Sequence, residues 1–129
     1  MQNPEYPHEI GFTLLIKKQY VELCEGNHCA AALLWFFEYR HNLIVSAMSH
    51  KVWNFEDTIS LYDQALQPCP MSLLEVAMMG LFKEKAIRTA LTLLKSLDLI
   101  TADKNPRATH LDNTLYVFFN AEILSDYLK

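Results

Sequence analysis

Lys85, Arg88, Thr89, Thr92 and Lys95 follow one another at steps of one or three positions. Such steps gather side chains on one half of a helix, the half opposite Ile87, Leu91 and Leu94 if those three turn inward. The residue types suit contact with a nucleic acid. An arginine fork matches the O6 and N7 acceptors of guanine, lysine and threonine reach phosphate oxygens, and a threonine methyl can touch thymine. The same types also describe a solvated helix face with ordinary charges. A second polar group, Lys104, Asn105, Arg107, Thr109 and His110, stands between two apolar runs. It reads either as a basic tip lying over phosphates, with Arg107 in a narrow minor groove, or as a hairpin loop in which Asn105-Pro106 makes the turn.

Other chemistries find less in the chain. Cys24, His28 and Cys29, with His41, His50 and Cys69, are zinc-ligand types. No second CxxC or HxxxH accompanies them, so they are expected to be core residues, with no metal and no cofactor. No serine sits in a GxSxG setting, and three glycines leave no phosphate-cradling loop. Glu56-Asp57, and Asp98 with Asp103, read as solvated or capping charges. An enzyme is not expected.

The elements that must position these residues are legible in part. Ser72-Leu-Leu-Glu75 has the form of a capping box and predicts a helix start, and Gly80 can take the positive φ that ends it. From Glu84, the apolar residues Ile87, Leu91, Leu94 and Leu97 mark one buried stripe of a second helix. After Asp98 come Leu99-Ile100, the polar loop, and Thr114-Leu-Tyr-Val-Phe-Phe119, a run of strand type. Upstream, Asn27 is a plausible N-cap for a strongly apolar helix from His28 to about His41. That helix is apolar on more than one face, which implies complete burial or a partner surface. Lys17–Cys24 reads as a helix, Leu43–Lys51 as helix or strand, and Asn54 to Leu66 as a further helix. Gln67-Pro-Cys-Pro70 ends that helix and reads as the one short linker. Ala121–Leu128 is a terminal helix with Ile123, Leu124 and Leu128 on one side.

Helix, turn, helix, hairpin is the winged helix-turn-helix order, and the motifs carry a resemblance to it. AIRTALTLLKSLDLI resembles the recognition helix and first wing strand of winged-helix DNA-binding proteins. NPRATHLDNTLYVFFN is similar to the wing of the replication-initiation (replisome-organiser) proteins of phages and plasmids, and CAAALLWFFEYRHN to their long first helix. The resemblance implies a mainly α domain with a small antiparallel β wing, and a short third strand is expected near Phe12 or Ile44. It covers most of residues 10–120, and with the reading of the rest of the chain gives one winged-helix domain over 1–129: core helices about 17–67, helix-turn-helix 72–97, wing 98–120 and C-terminal helix 121–128. It further implies double-stranded DNA as partner, through Lys85, Arg88, Thr89, Thr92 and Lys95 in the major groove and Lys104 and Arg107 on the wing. Two positions depart from the family pattern. Asn113 stands where an arginine commonly follows the wing aspartate, and Phe82 stands where serine or threonine commonly starts the helix, an apolar choice that fits packing or a protein contact.

Composition sets the outer bounds. With 129 residues and 51% apolar content, the chain fits one domain with one ordinary core. No apolar run approaches the roughly 18 residues that span a bilayer, and MQNPEYPHEI lacks a basic segment followed by an apolar one. A cytoplasmic protein with no membrane partner is expected, its three cysteines reduced. Net charge is −4, unevenly spread: residues 1–82 carry four basic and nine acidic side chains, residues 83–110 six and three. The basic excess coincides with the helix and loop expected to meet DNA. The acidic remainder favours an alternative, a winged-helix protein-interaction module with a replisome or regulatory partner. Aromatic residues such as Phe36 and Tyr62 offer a homodimer seam, by which paired winged helices read two half-sites in replication or transcription regulation.

Overall fold

The computed structural model describes residues 14–49, 65–104 and 114–129. In chain order these form α1 (Lys18–Leu23), α2 (His28–Ser49), β1 (Gln67–Pro68), α3 (Met71–Ala77), α4 (Glu84–Ser96), β2 (Ile100–Lys104), β3 (Leu115–Phe119) and α5 (Ala121–Tyr127). The described chain is mainly helical, with one small antiparallel sheet of three strands in the order β1-β3-β2.

Asn27 starts α2 as its sequence implies, its Oδ1 accepting the backbone N–H of Ala30 at 2.9 Å. The helix does not stop near His41. It continues to Ser49, because no glycine or proline interrupts residues 28–49, so the ambiguous stretch from Leu43 is helical up to that point. Cys29 to Leu34 are all buried, and three of them, Ala30, Ala31 and Ala32, are small enough to let neighbouring backbones come close. Complete burial therefore explains the all-round apolar character of this half of α2. Further along, Phe37 is buried, whereas Trp35 and Phe36 pack half-buried against the core. Tyr39 and Leu43 are exposed.

The proline-flanked segment expected as a linker is instead the third strand. Gln67 pairs with Val117 and Pro68 with Tyr116, and Cys69 N–H donates to the Leu115 carbonyl at 2.7 Å. Proline is tolerated because β1 lies at the sheet edge, where one side of the strand needs no donor. Gln67 is fully buried, and its Nε2 donates to the Phe37 carbonyl at 3.1 Å, fastening β1 to α2. The third strand was expected near Phe12 or Ile44. Ile44 belongs to α2, and Phe12 lies outside the described residues, as do residues 54–64 of the helix read from Asn54 to Leu66 and the aromatic residues Trp53, Phe55 and Tyr62.

The capping box does not form. The helix begins one residue earlier than Ser72, at Met71, with extended Pro70 in the cap position and no side-chain cap. Ser72 thus sits inside the first turn, where its hydroxyl is no longer placed to cap. At the other end, two left-handed residues in succession, Met79 (φ 55°) and Gly80 (φ 77°), turn the chain toward α4. Gly80 takes the conformation foreseen for it, but Met79 takes it too, at a cost that a β-carbon imposes. Phe82 packs half-buried against the core, in keeping with the packing that its apolar character suggests.

Beneath α4 the core is continuous. Ile87, Ala90, Leu91 and Leu94 are buried, with Leu74 of α3 and Met78 just beyond its end, Leu33 and Leu34 of α2, and Val117 and Phe119 of β3. Leu97, expected on the same stripe, is only half-buried because it caps the end of α4. β2 pairs with β3 in full register from Ile100 against Phe119 to Lys104 against Leu115. α5, with Asn120 in the cap position before it, buries Leu124 and half-buries Ile123. Leu128, expected on the same side, is exposed because the helix ends at Tyr127.

Candidate nucleic-acid interface

The outward half of α4 carries what its periodicity implies. Lys85, Arg88, Thr89, Thr92 and Lys95 are all exposed, while the other half of the helix is buried. Geometry divides them further. Arg88 Nε and Nη2 both donate to Oε2 of Glu84, at 2.8 and 2.7 Å, one helical turn earlier. Thr92 Oγ1 donates to the Arg88 carbonyl at 3.1 Å, and Ser96 Oγ to that of Leu93 at 2.7 Å. Both hydroxyl protons are thus turned to the helix's own backbone. Among the described residues Lys85 and Lys95 have no carboxylate at ion-pairing distance. Two point charges therefore flank one arginine that is already held. Reasoning from cationic side chains alone misses Glu84. The signal was present as the four-residue spacing of Glu84 and Arg88.

The far end of α4 is anchored rather than free. Asp98 takes a left-handed φ of 62° just beyond it, and Asn120 Nδ2 donates to the Asp98 carbonyl at 2.7 Å. Tyr127 OH donates to the Leu97 carbonyl at 3.1 Å. Carbonyls that a helix end leaves unpaired are met in this way by α5 and by the residue before it, and the axis of α4 is fixed relative to the sheet. On the hairpin, Lys104 closes β2, and Arg107, Thr109, His110 and Asn113 lie outside the described residues.

The cysteine and histidine set is not gathered into one place. Cys24, Cys29 and Cys69 are buried free thiols, each pushed up to about 11 chiefly by burial. His28 is exposed, His50 lies outside the described residues, and no three ligand-type side chains among the described residues could share a metal ion. His41 is buried, edge-on to Phe118 at 5.6 Å and tilted against Phe119 at 5.4 Å. Burial holds its imidazole below the ordinary histidine range. Beside it, a cleft of ≈ 280 Å³ is walled by β3 and the start of α5.

A different surface precedes α4. Val76, Met79 and Leu81 are exposed by 61%, 55% and 64%, at the end of α3 and in the turn. No helix among the described residues is long and apolar enough to cross a membrane. Compared with protein-family models, with curated proteins and with solved structures, the chain finds no match.

Proposed function

We propose that this chain is a winged helix-turn-helix protein that binds double-stranded DNA sequence-specifically, with α4 in the major groove. The observation that carries the reading is the two-sided character of α4: Lys85, Arg88, Thr89, Thr92 and Lys95 exposed together, Ile87, Leu91 and Leu94 buried behind them. The surrounding order of helix, edge strand, helix, turn, helix and hairpin supports it, as does the pairing of β1 with β3. Its role is that of the replication-initiation proteins of phages and plasmids that its motifs resemble, or of a small transcription regulator. It works in the cytoplasm as a homodimer, without a cofactor and without catalysis. Lys85 and Lys95 neutralise phosphates, Arg88 reads a base edge, and Lys104 and Arg107 follow on the wing.

The test is fluorescence-anisotropy binding to a random pool of duplex DNA over a salt series, wild type beside Lys85→Ala/Arg88→Ala. Affinity that falls steeply with salt and is lost in the double variant supports the reading, since phosphate contacts release counterions. Absence of binding by wild type at low salt refutes it.

A second reading has its own observation. The exposed Val76, Met79 and Leu81 and the net charge of −4 favour a protein-interaction module that meets a replisome or regulatory protein through apolar contact. Such a module leaves heparin unbound and retains a protein partner through purification.

A further inference from the structure

A carboxylate in the middle of a surface that meets a polyanion needs a reason. Glu84 is 53% exposed, on the first turn of α4 and on the same outward half as Arg88, where its charge weakens every approach to phosphate. Affinity alone therefore does not account for it. The geometry of its contact does. Nε and Nη2 form the side edge of the Arg88 guanidinium, and both point at one oxygen of Glu84. The end edge, made of Nη1 and the second N–H of Nη2, keeps two parallel donors, the pattern that guanine O6 and N7 accept.

We propose that Glu84 is a positioning residue for Arg88, and that the pair selects a guanine in the DNA site. The inference rests on the reading of α4 as the DNA-contacting helix and deepens it by naming a base. Glu84 holds the long arginine side chain in one arrangement before DNA arrives, so less rotamer freedom is lost on binding. In water the pair is weak, because both partners are more than half exposed. Against a base edge, where water is excluded, the same contact strengthens and misplacement of the fork costs more. Lys85 and Lys95, with no carboxylate partner among the described residues, are left to supply salt-dependent affinity.

The experiment selects duplexes from a random pool with the wild-type protein. It then measures anisotropy on the selected duplex and on versions with each base pair replaced, for wild type, Glu84→Gln and Glu84→Asp. Glutamine removes the charge. Aspartate keeps the charge and its place near the helix N-terminus but is one methylene too short to hold the side edge. Both variants are expected to lose roughly tenfold in preference at one G·C pair. Glu84→Gln alone is expected to bind random duplex more tightly at low salt. Thermal melts of both variants within a few degrees of wild type exclude a general loss of structure. Three outcomes overturn the proposal, and they are distinguishable. Wild type that binds no duplex refutes the DNA-binding reading and this inference with it. A selected site in which no guanine matters refutes Arg88 as a guanine reader. A guanine preference retained in both variants leaves the DNA-binding reading intact and refutes the positioning role of Glu84.

Discussion

The outward half of α4 and the apolar end of α3 are neighbours in the chain, yet they treat water in opposite ways. α4 separates its residues cleanly, aliphatic side chains inward and charged or hydroxyl side chains outward. The end of α3 and its turn put Val76, Met79 and Leu81 into solvent, with Met79 in a left-handed conformation. One surface suits a charged ligand approached through water, the other an apolar partner that displaces water. A chain with both has a place for each, and the two can be perturbed separately.

The largest effects come from the support that both surfaces share. Leu94→Ala removes a fully buried side chain beneath α4, and a loss of about 2–5 kcal/mol in urea unfolding is expected. Lys95→Ala, one residue later on the outward half, should stay within about 0.5 kcal/mol of wild type. If the two variants unfold alike, the division of α4 into two halves is wrong.

Next in size is the contrast between reading and charge on the outward half. Arg88→Ala is expected to weaken a selected duplex by about 1–3 kcal/mol and to relax preference at one base pair. Lys85→Ala should weaken all duplexes alike and flatten the salt dependence. Equal loss on random and selected duplexes in both variants would merge two roles that the proposed function keeps apart.

His41 tests the packing of β3 against α2 through pH. Burial holds its folded-state value below the ordinary 6.5, so well above pH 6.5 the imidazole is neutral in both states and this group's contribution to stability is complete. As pH falls below 6.5, the unfolded chain takes up the proton first, and stability declines until the depressed folded value is reached. The slope contributed by this one group is no more than about 1.4 kcal/mol per pH unit. Stability of His41→Gln followed from pH 7 to pH 4.5 should lack this component. An unchanged slope would assign the acid sensitivity to other groups.

The smallest effects concern the turn. Met79→Gly relieves a β-carbon at φ 55° and is expected to stabilise by about 1 kcal/mol or less in thermal unfolding. Leu81→Ser should leave stability and duplex binding within error but reduce retention of an apolar partner. A loss of duplex binding in Leu81→Ser would join the two surfaces into one.

How much of this was legible in the sequence varied with the range of the forces involved. The helix beginning at Glu84 could be read because Ile87, Leu91 and Leu94 follow helical spacing, and the paired runs after Asp98 because β-branched and aromatic residues favour strands. Asn27 as a cap is likewise a local matter. Ser72-Leu-Leu-Glu75 misled because Pro70, two residues earlier, offers a competing helix start that the motif ignores. Gln67-Pro68 read as a linker because two prolines obscure a strand whose partners are some fifty positions away. At the candidate site, the cationic residues were legible and their division was not, since Glu84 matters only through the edge of Arg88 that it occupies.

Local pattern therefore determined which residues α4 buries, which it presents, and that an antiparallel hairpin follows it, because helical and strand periods are written in neighbouring residues. Tertiary structure alone decided that α2 is enclosed over Cys29–Leu34 and runs on to Ser49, that Gln67–Pro68 closes the sheet, and that Asn120 and Tyr127 hold the end of α4. Those outcomes depend on which distant surfaces meet, and the free energy of burial is assigned only when they do.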